Sequence, residues 1–280
     1  MYHRIIPRLD IKGPNLVKGI HLEGLRVLGN PYDFAEMYYK EGADELIYQD
    51  VVASLYERNS LTQFVEETAE KIFIPLTVGG GIRNLEDIDT LLKAGADKIS
   101  INTAAIKRPN FIKEASEKFG SSTIVISIEV ILQDDGDYEL FIDNGRESTG
   151  IYLSEWLKTV QELGAGEIVV TSVDRDGTMK GIDLNLVEKV TSQVDIPFVY
   201  HGGISSIKDS NIFVDDNISG IAVASSFHYY YLNNKALIYK DRGEGNTSFL
   251  NSSFAKKKKG FSITDLKNYM ITKDINVRNS

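Results

Sequence analysis

The chain contains no cysteine, which excludes disulfides, thiolate metal sites and a cysteine nucleophile. It also lacks a basic surplus: 31 Lys and Arg stand against 40 Asp and Glu, a formal charge of −9. General nucleic-acid binding, which uses a basic face, is therefore not expected. No apolar run approaches the roughly 18 residues of a membrane span. The start, "MYHRIIPRLD", carries Arg4, Arg8 and Asp10 where a signal peptide needs an apolar core. A cytoplasmic protein away from membranes is the expectation. What is present is ordinary for a soluble globular chain, 42% hydrophobic and 25% charged residues. Its 280 residues suffice for two ordinary domains or one large α/β barrel.

The pattern chooses between them. Eight short β-branched runs alternate with helical stretches: "RIIPRLDI", "ELIYQDVV", "IPLTVGG", "DKISIN", "TIVISIEV", "EIVVTSVD", "IPFVYHGG" and "SGIAVASS". Segments such as "NPYDFAEMYYKEGA" have Asn or Pro near the start, apolar residues at helical spacing and a closing glycine. Eight βα units predict a (β/α)8 TIM barrel spanning residues 1–280 as one domain. The chain also repeats itself: "EGADELIYQD" resembles "LGAGEIVVTS" at an offset of 122, as do Gly80-Gly81 and Gly202-Gly203. A constant offset over successive strands reads as two half-barrels. After the eighth strand, residues 229–261 break the rhythm and are expected to be an inserted loop ending near the run Lys256 to Lys259.

Barrel sites lie at the carboxyl ends of the strands. Asp10 ends the first strand and Glu129 the fifth, opposite positions in an eight-stranded ring. One can serve as an ionised base and the other, raised by burial, as a protonated acid. Gly80 and Gly81 with Asn102 and Thr103, and Gly202 and Gly203 with Ser225 and Ser226, form two phosphate cradles. Duplicated, they suit a ligand with a phosphate at each end. Gly177, in "VTSVDRDGTMKGID" after the sixth strand, adds a backbone N–H to the second. Asp50, Thr171, Asp174 and Asp176 are expected to bind the ligand, with Lys18 as a cation on the first loop. At the opposite end Arg4, Glu45, Lys98 and Glu167 stand where four strands begin. Pointing outward they are solvated charges; pointing inward they close a ring.

These residues together resemble the cyclase subunit of imidazole glycerol phosphate synthase. "RIIPRLDIK", "GADELIYQD", "IPLTVGGGIR", "GADKISIN", "LGAGEIVVTSVDRDGT" and "ASSFH" carry the resemblance over residues 3–228. It implies a barrel docked by its amino-terminal face on a glutaminase subunit, and ammonia passing a charged gate to a phosphorylated substrate at the other end. By that resemblance the gate is Arg4, Glu45, Lys98 and Glu167, the catalytic pair is Asp10 and Glu129, and neither cofactor nor metal is required. The departures lie on the active face: Glu129 stands for the usual aspartate, Arg8 for a small residue, "KGPN" for a "KDGR"-like loop, and the loop after strand eight is enlarged. They resemble the second cyclase-like paralogue, which supplies nitrogen to an N-acetyl sugar amidotransferase in surface-polysaccharide synthesis. A histidine-pathway cyclase and a phosphoribosyl isomerase are the alternatives.

Overall fold

A computed structural model describes residues 2–53, 61–215, 218–234 and 259–278. Twelve strands form one sheet. Eight of them close a parallel barrel in the order β1 (Arg4–Lys12), β4 (Leu46–Asp50), β5 (Leu76–Gly79), β6 (Lys98–Ile101), β7 (Ile124–Leu132), β10 (Glu167–Ser172), β11 (Phe198–His201) and β12 (Gly220–Val223). Pairing of β10 with β7 and of β12 with β1 completes the ring. Each predicted run supplies one of these strands. Helices alternate with them and begin as the sequence requires. At Pro31–Lys40, for example, Asn30 caps the Tyr32 N–H at 3.0 Å, with Asp33 in the first turn and Lys40 in the last.

Two antiparallel hairpins extend the barrel at its carboxyl end. One is β2 (Asn15–Ile20) with β3 (Glu23–Gly29), paired to β1; the other is β8 (Tyr138–Ile142) with β9 (Glu147–Tyr152), paired to β7. They lengthen strands one and five, which carry Asp10 and Glu129.

The period of two along each strand sorts the side chains. Ile5, Leu9, Tyr48, Val78, Ile126, Val170 and Tyr200 belong to the main core shared with the helices. Ile6, Ile47, Val125, Val169, Val199 and Ala222 form a separate buried cluster, the apolar plug inside the barrel. On β1 the inward parity therefore places Arg4 below Ile6, and Arg8 and Asp10 above it. Residues 229–234 continue the helix Ser225–Asn234 rather than opening a loop. Residues 235–258, including Lys256 to Lys258, lie outside the described residues. Among the described residues no helix is long and apolar enough to cross a membrane.

Candidate active site

At the amino-terminal end the four charges point inward and hold one another. Arg4 donates to Glu45 at 2.6 Å and to Glu167; Lys98 donates to Glu45 at 3.0 Å and to Glu167 at 2.7 Å. Thr77 gives a further hydrogen bond to Glu45 at 2.7 Å. The signs alternate around the ring, so every arm is attractive. Burial works against the Glu167 carboxylate, but Arg4 and Lys98 outweigh it and hold Glu167 below its usual range. The cations keep partial access to solvent, with Arg4 24% and Lys98 18% exposed, so the ring forms the floor of the barrel with its cations at the solvent edge.

At the carboxyl end the charges are sealed in. Arg8 and Lys18 are 2% and 1% exposed. Arg8 Nε donates to Asp10 at 2.9 Å, and its Nη1 reaches from β1 to Thr171 on β10, at 3.2 Å, and to His201 Nδ1 on β11, at 3.3 Å. The guanidinium thus spans the lumen above the apolar plug. Lys18 lies on strand β2, not on a mobile loop, and its ammonium bridges Asp10 at 3.1 Å and Asp176 at 2.7 Å. Burial alone would raise the Asp10 carboxyl, but Arg8 and Lys18 outweigh it and hold it well below the usual range.

Glu129 shows the opposite balance. Burial pushes its carboxyl up to about 7, against the pull of Arg8 and of the Gly145 N–H, which donates to it at 2.9 Å. The two carboxyl groups are therefore driven apart, Asp10 ionised and Glu129 half-protonated near neutrality, the arrangement of an acid/base pair.

Residues 4–233 match the family of histidine biosynthesis proteins. The chain belongs to that family. It is 54% identical over 208 residues to imidazole glycerol phosphate synthase subunit HisF of Legionella pneumophila, covering 74% of this chain and 98% of that protein. It is 43% identical over 235 residues to the subunit of the same name from Natranaerobius thermophilus, covering 84% and 93%. With that of Thermobifida fusca it shares 44% identity over 231 residues, covering 81% and 90%.

In this member of the histidine biosynthesis family the two cradles differ. A cavity of about 340 Å³ is lined by Asp50, Gly80, Gly81, Asn102, Thr103 and Glu129. Asp50 shapes it by accepting the N–H groups of Val52 and Ala53 at 3.0 and 2.9 Å, and Gly80 is required because a Cβ there would lie 2.3 Å from the Asp50 carbonyl oxygen. The matching cavity at Gly177, Gly202, Gly203 and Ser225 holds only about 10 Å³.

Two expected ligand groups have side chains bonded within the protein. Asp174 is exposed and accepts the Leu132 N–H at 2.9 Å, bracing the extension of β7. Ser226 is fully buried, and its hydroxyl donates to the Ile204 carbonyl at 2.5 Å.

Three participants escaped the sequence reading. His201 lies between Thr171 and Asp176; accepting from Arg8 leaves its proton on Nε2, 3.6 Å from Asp176. Burial, then Arg8 and Lys18, lower its pKa well below the ordinary value, so it is neutral. Asp143 and Asn144, in the β8–β9 turn, line the open cavity. His201 was legible as a titratable residue beside a glycine pair; the turn residues required the hairpin to be known.

Proposed function

We propose that this chain is the ammonia-accepting barrel subunit of a glutamine amidotransferase, working with a glutaminase subunit on its amino-terminal face. The observation that carries the proposal is the ring of Arg4, Glu45, Lys98 and Glu167 below an apolar lumen. A barrel enzyme that draws every reactant through its mouth has no use for buried, paired charges at its floor. Such a ring rejects ions, since a charge leaving water for the apolar lumen pays a large desolvation penalty, whereas neutral ammonia does not. Passage requires one arm to swing, and Lys98, a flexible ammonium, is better suited than the forked Arg4. A phosphoribosyl isomerase needs no nitrogen, and the ring argues against that alternative.

The names of its relatives favour imidazole glycerol phosphate synthesis as the use of the ammonia. In this reading Glu129 donates and receives protons near neutral pH, ionised Asp10 stabilises developing positive charge, and the open cavity holds a phosphate. A second reading, ammonia supply to an N-acetyl sugar amidotransferase, is favoured by one observation: Arg8 and Lys18 both pin Asp10, and a carboxylate so stabilised is a poor base.

An assay with ammonium chloride and the histidine-pathway precursor separates the two. The cyclase reading expects conversion to imidazole glycerol phosphate, reduced by about 10²–10⁴ in Asp10→Asn. Absence of conversion by the unmodified protein rejects it and leaves the sugar-amidation reading.

A further inference from the structure

We infer that the lumen above the apolar plug opens to the mouth on one side only, past Gln49 and Ser100 to Glu129, and that Arg8 shuts the side leading to Asp10. The inference rests on the proposed function only in naming ammonia as what passes. The internal repeat supplies the comparison, because it pairs the side chains of this layer. Gln49 corresponds to Thr171, Gly79 to His201 and Ser100 to Ala222 at the offset of 122, and Arg8 to Ser127 at the offset of 119 that also relates Asp10 to Glu129. The strand register sets them side by side. Gln49 lies beside Gly79 and Gly79 beside Ser100 in one half of the ring, Thr171 beside His201 and His201 beside Ala222 in the other.

The two halves of the layer are filled differently. Arg8 is buried, and from β1 its guanidinium crosses to Thr171 on β10, at 3.2 Å, and to His201 on β11, at 3.3 Å. With Nε held by Asp10 at 2.9 Å, these bonds close the sector that runs from β10 round to β1. Their counterparts cannot repeat the closure. Ser127 stands where Arg8 does and Gly79 where His201 does, so the sector from β4 round to β7 has a hydroxymethyl group and a hydrogen in place of a guanidinium and an imidazole. Gln49 turns its amide into part of that room, since a Cβ on Gly79 would lie 2.5 Å from Gln49 Oε1 and 2.9 Å from Ser100 Cβ. The rest stays open: Gln49, Ser100 and Glu129 line the cavity of about 340 Å³, whereas Arg8, Thr171 and Asp10 do not.

The chemistry of the open side suits a small neutral molecule. Ammonia leaving an apolar plug needs partners that both give and accept hydrogen bonds. The hydroxyls of Ser100 and Ser127 do so, and Gln49 offers an amide oxygen and an NH2 group. On the closed side the guanidinium only donates, and its charge repels ammonium. Swinging it away would strand Asp10 and break the bonds to Thr171 and His201 inside the protein. A nucleophile arriving by the open side emerges at Glu129, on the wall of the cavity, rather than at Asp10, which Arg8 and Lys18 keep covered.

Because the chain has no cysteine, single thiols report on the two sides without background. Ser100→Cys and Thr171→Cys, each in the full-length chain alone, are treated with methyl methanethiosulfonate. Ser100→Cys is expected to react from the mouth, and Thr171→Cys about tenfold or more slower, since a thiol sealed in the fold reacts only through local opening. Should Thr171→Cys fail to fold, Ala222→Cys, at the counterpart of Ser100, gives the same comparison. Equal rates, or no reaction at Ser100→Cys, overturn the inference. In the complex with a glutaminase subunit, the methylthio group on Ser100→Cys should lower glutamine-supported product formation by about tenfold or more relative to that supported by ammonium chloride, which enters by the mouth. An unchanged ratio also overturns the inference. Failure of the complex to form, or of product to appear with either nitrogen source, counts against the proposed function and leaves the labelling rates to decide.

Discussion

The two ends of the barrel carry networks of the same composition, two cations and two carboxylates, in opposite environments. At the floor, Arg4 and Lys98 keep 24% and 18% of their side-chain surface and meet the buried Glu45 and Glu167. At the mouth, Arg8 and Lys18 keep 2% and 1% and hold Asp10 and Asp176 inside the protein. The difference concerns what each network can release. The floor's cations reach solvent and each carboxylate has two of them, so one arm can swing to water while Glu45 and Glu167 keep the other. A sealed network has no water to exchange with, so removing one member strands a buried charge. The floor is built to open, and the mouth is built to stay fixed until a ligand replaces one of its bonds.

Substitution at each end should break this comparison if it is wrong. Lys18→Met strips Asp176 of its ammonium partner and should destabilise the fold by about 3–5 kcal/mol in urea denaturation. Lys98→Met should cost less, about 1–3 kcal/mol, because Glu45 and Glu167, although buried, both retain Arg4. Equal losses would mean that the two networks are energetically alike.

The pH dependence sharpens the contrast within the mouth. Glu129 has a folded pKa of about 7, above the ordinary value of 4.5. Below the ordinary value it is protonated in both states and contributes no difference. As pH rises from there to about 7, the unfolded chain releases the proton while the folded chain retains it, so stability falls. Glu129→Gln keeps an acceptor for the Gly145 N–H and removes this penalty. It should be about 3 kcal/mol more stable than the unmodified protein at pH 8, with little difference at pH 4. Asp10 behaves oppositely: its folded pKa is depressed, so its contribution is present above the ordinary value and lost as pH falls below it. A flat difference between Glu129→Gln and the unmodified protein across this range would show that Glu129 is ionised in the fold.

Much of this was legible in the residues. The eight barrel strands could be read because β-branched runs recur with helices between them, and the two halves because Gly80-Gly81 and Gly202-Gly203 keep a fixed offset. The ring needed one further fact, that Arg4 shares the parity of Ile6, which the alternation of inner and outer side chains supplies. The hairpins were missed: "EGLRVLG" and "ESTGIY" pair antiparallel outside the βα rhythm, and no local signal distinguishes them from loops within a barrel. A position after a strand end does not fix where a carboxylate bonds: that of Asp174 accepts the Leu132 N–H. The contact between Lys18 and Asp176, 158 residues apart, could not be read at all, because it joins a hairpin strand to the loop after β10.

The central claim is that the floor of the barrel receives ammonia from a glutaminase, and titrating a purified glutaminase subunit of the same cell with this chain tests it most directly. A one-to-one complex is expected in size-exclusion chromatography with light scattering, and glutaminase activity that rises with added chain and saturates at equimolar ratio. Two separate species at micromolar concentration, with glutaminase activity unchanged, would contradict it.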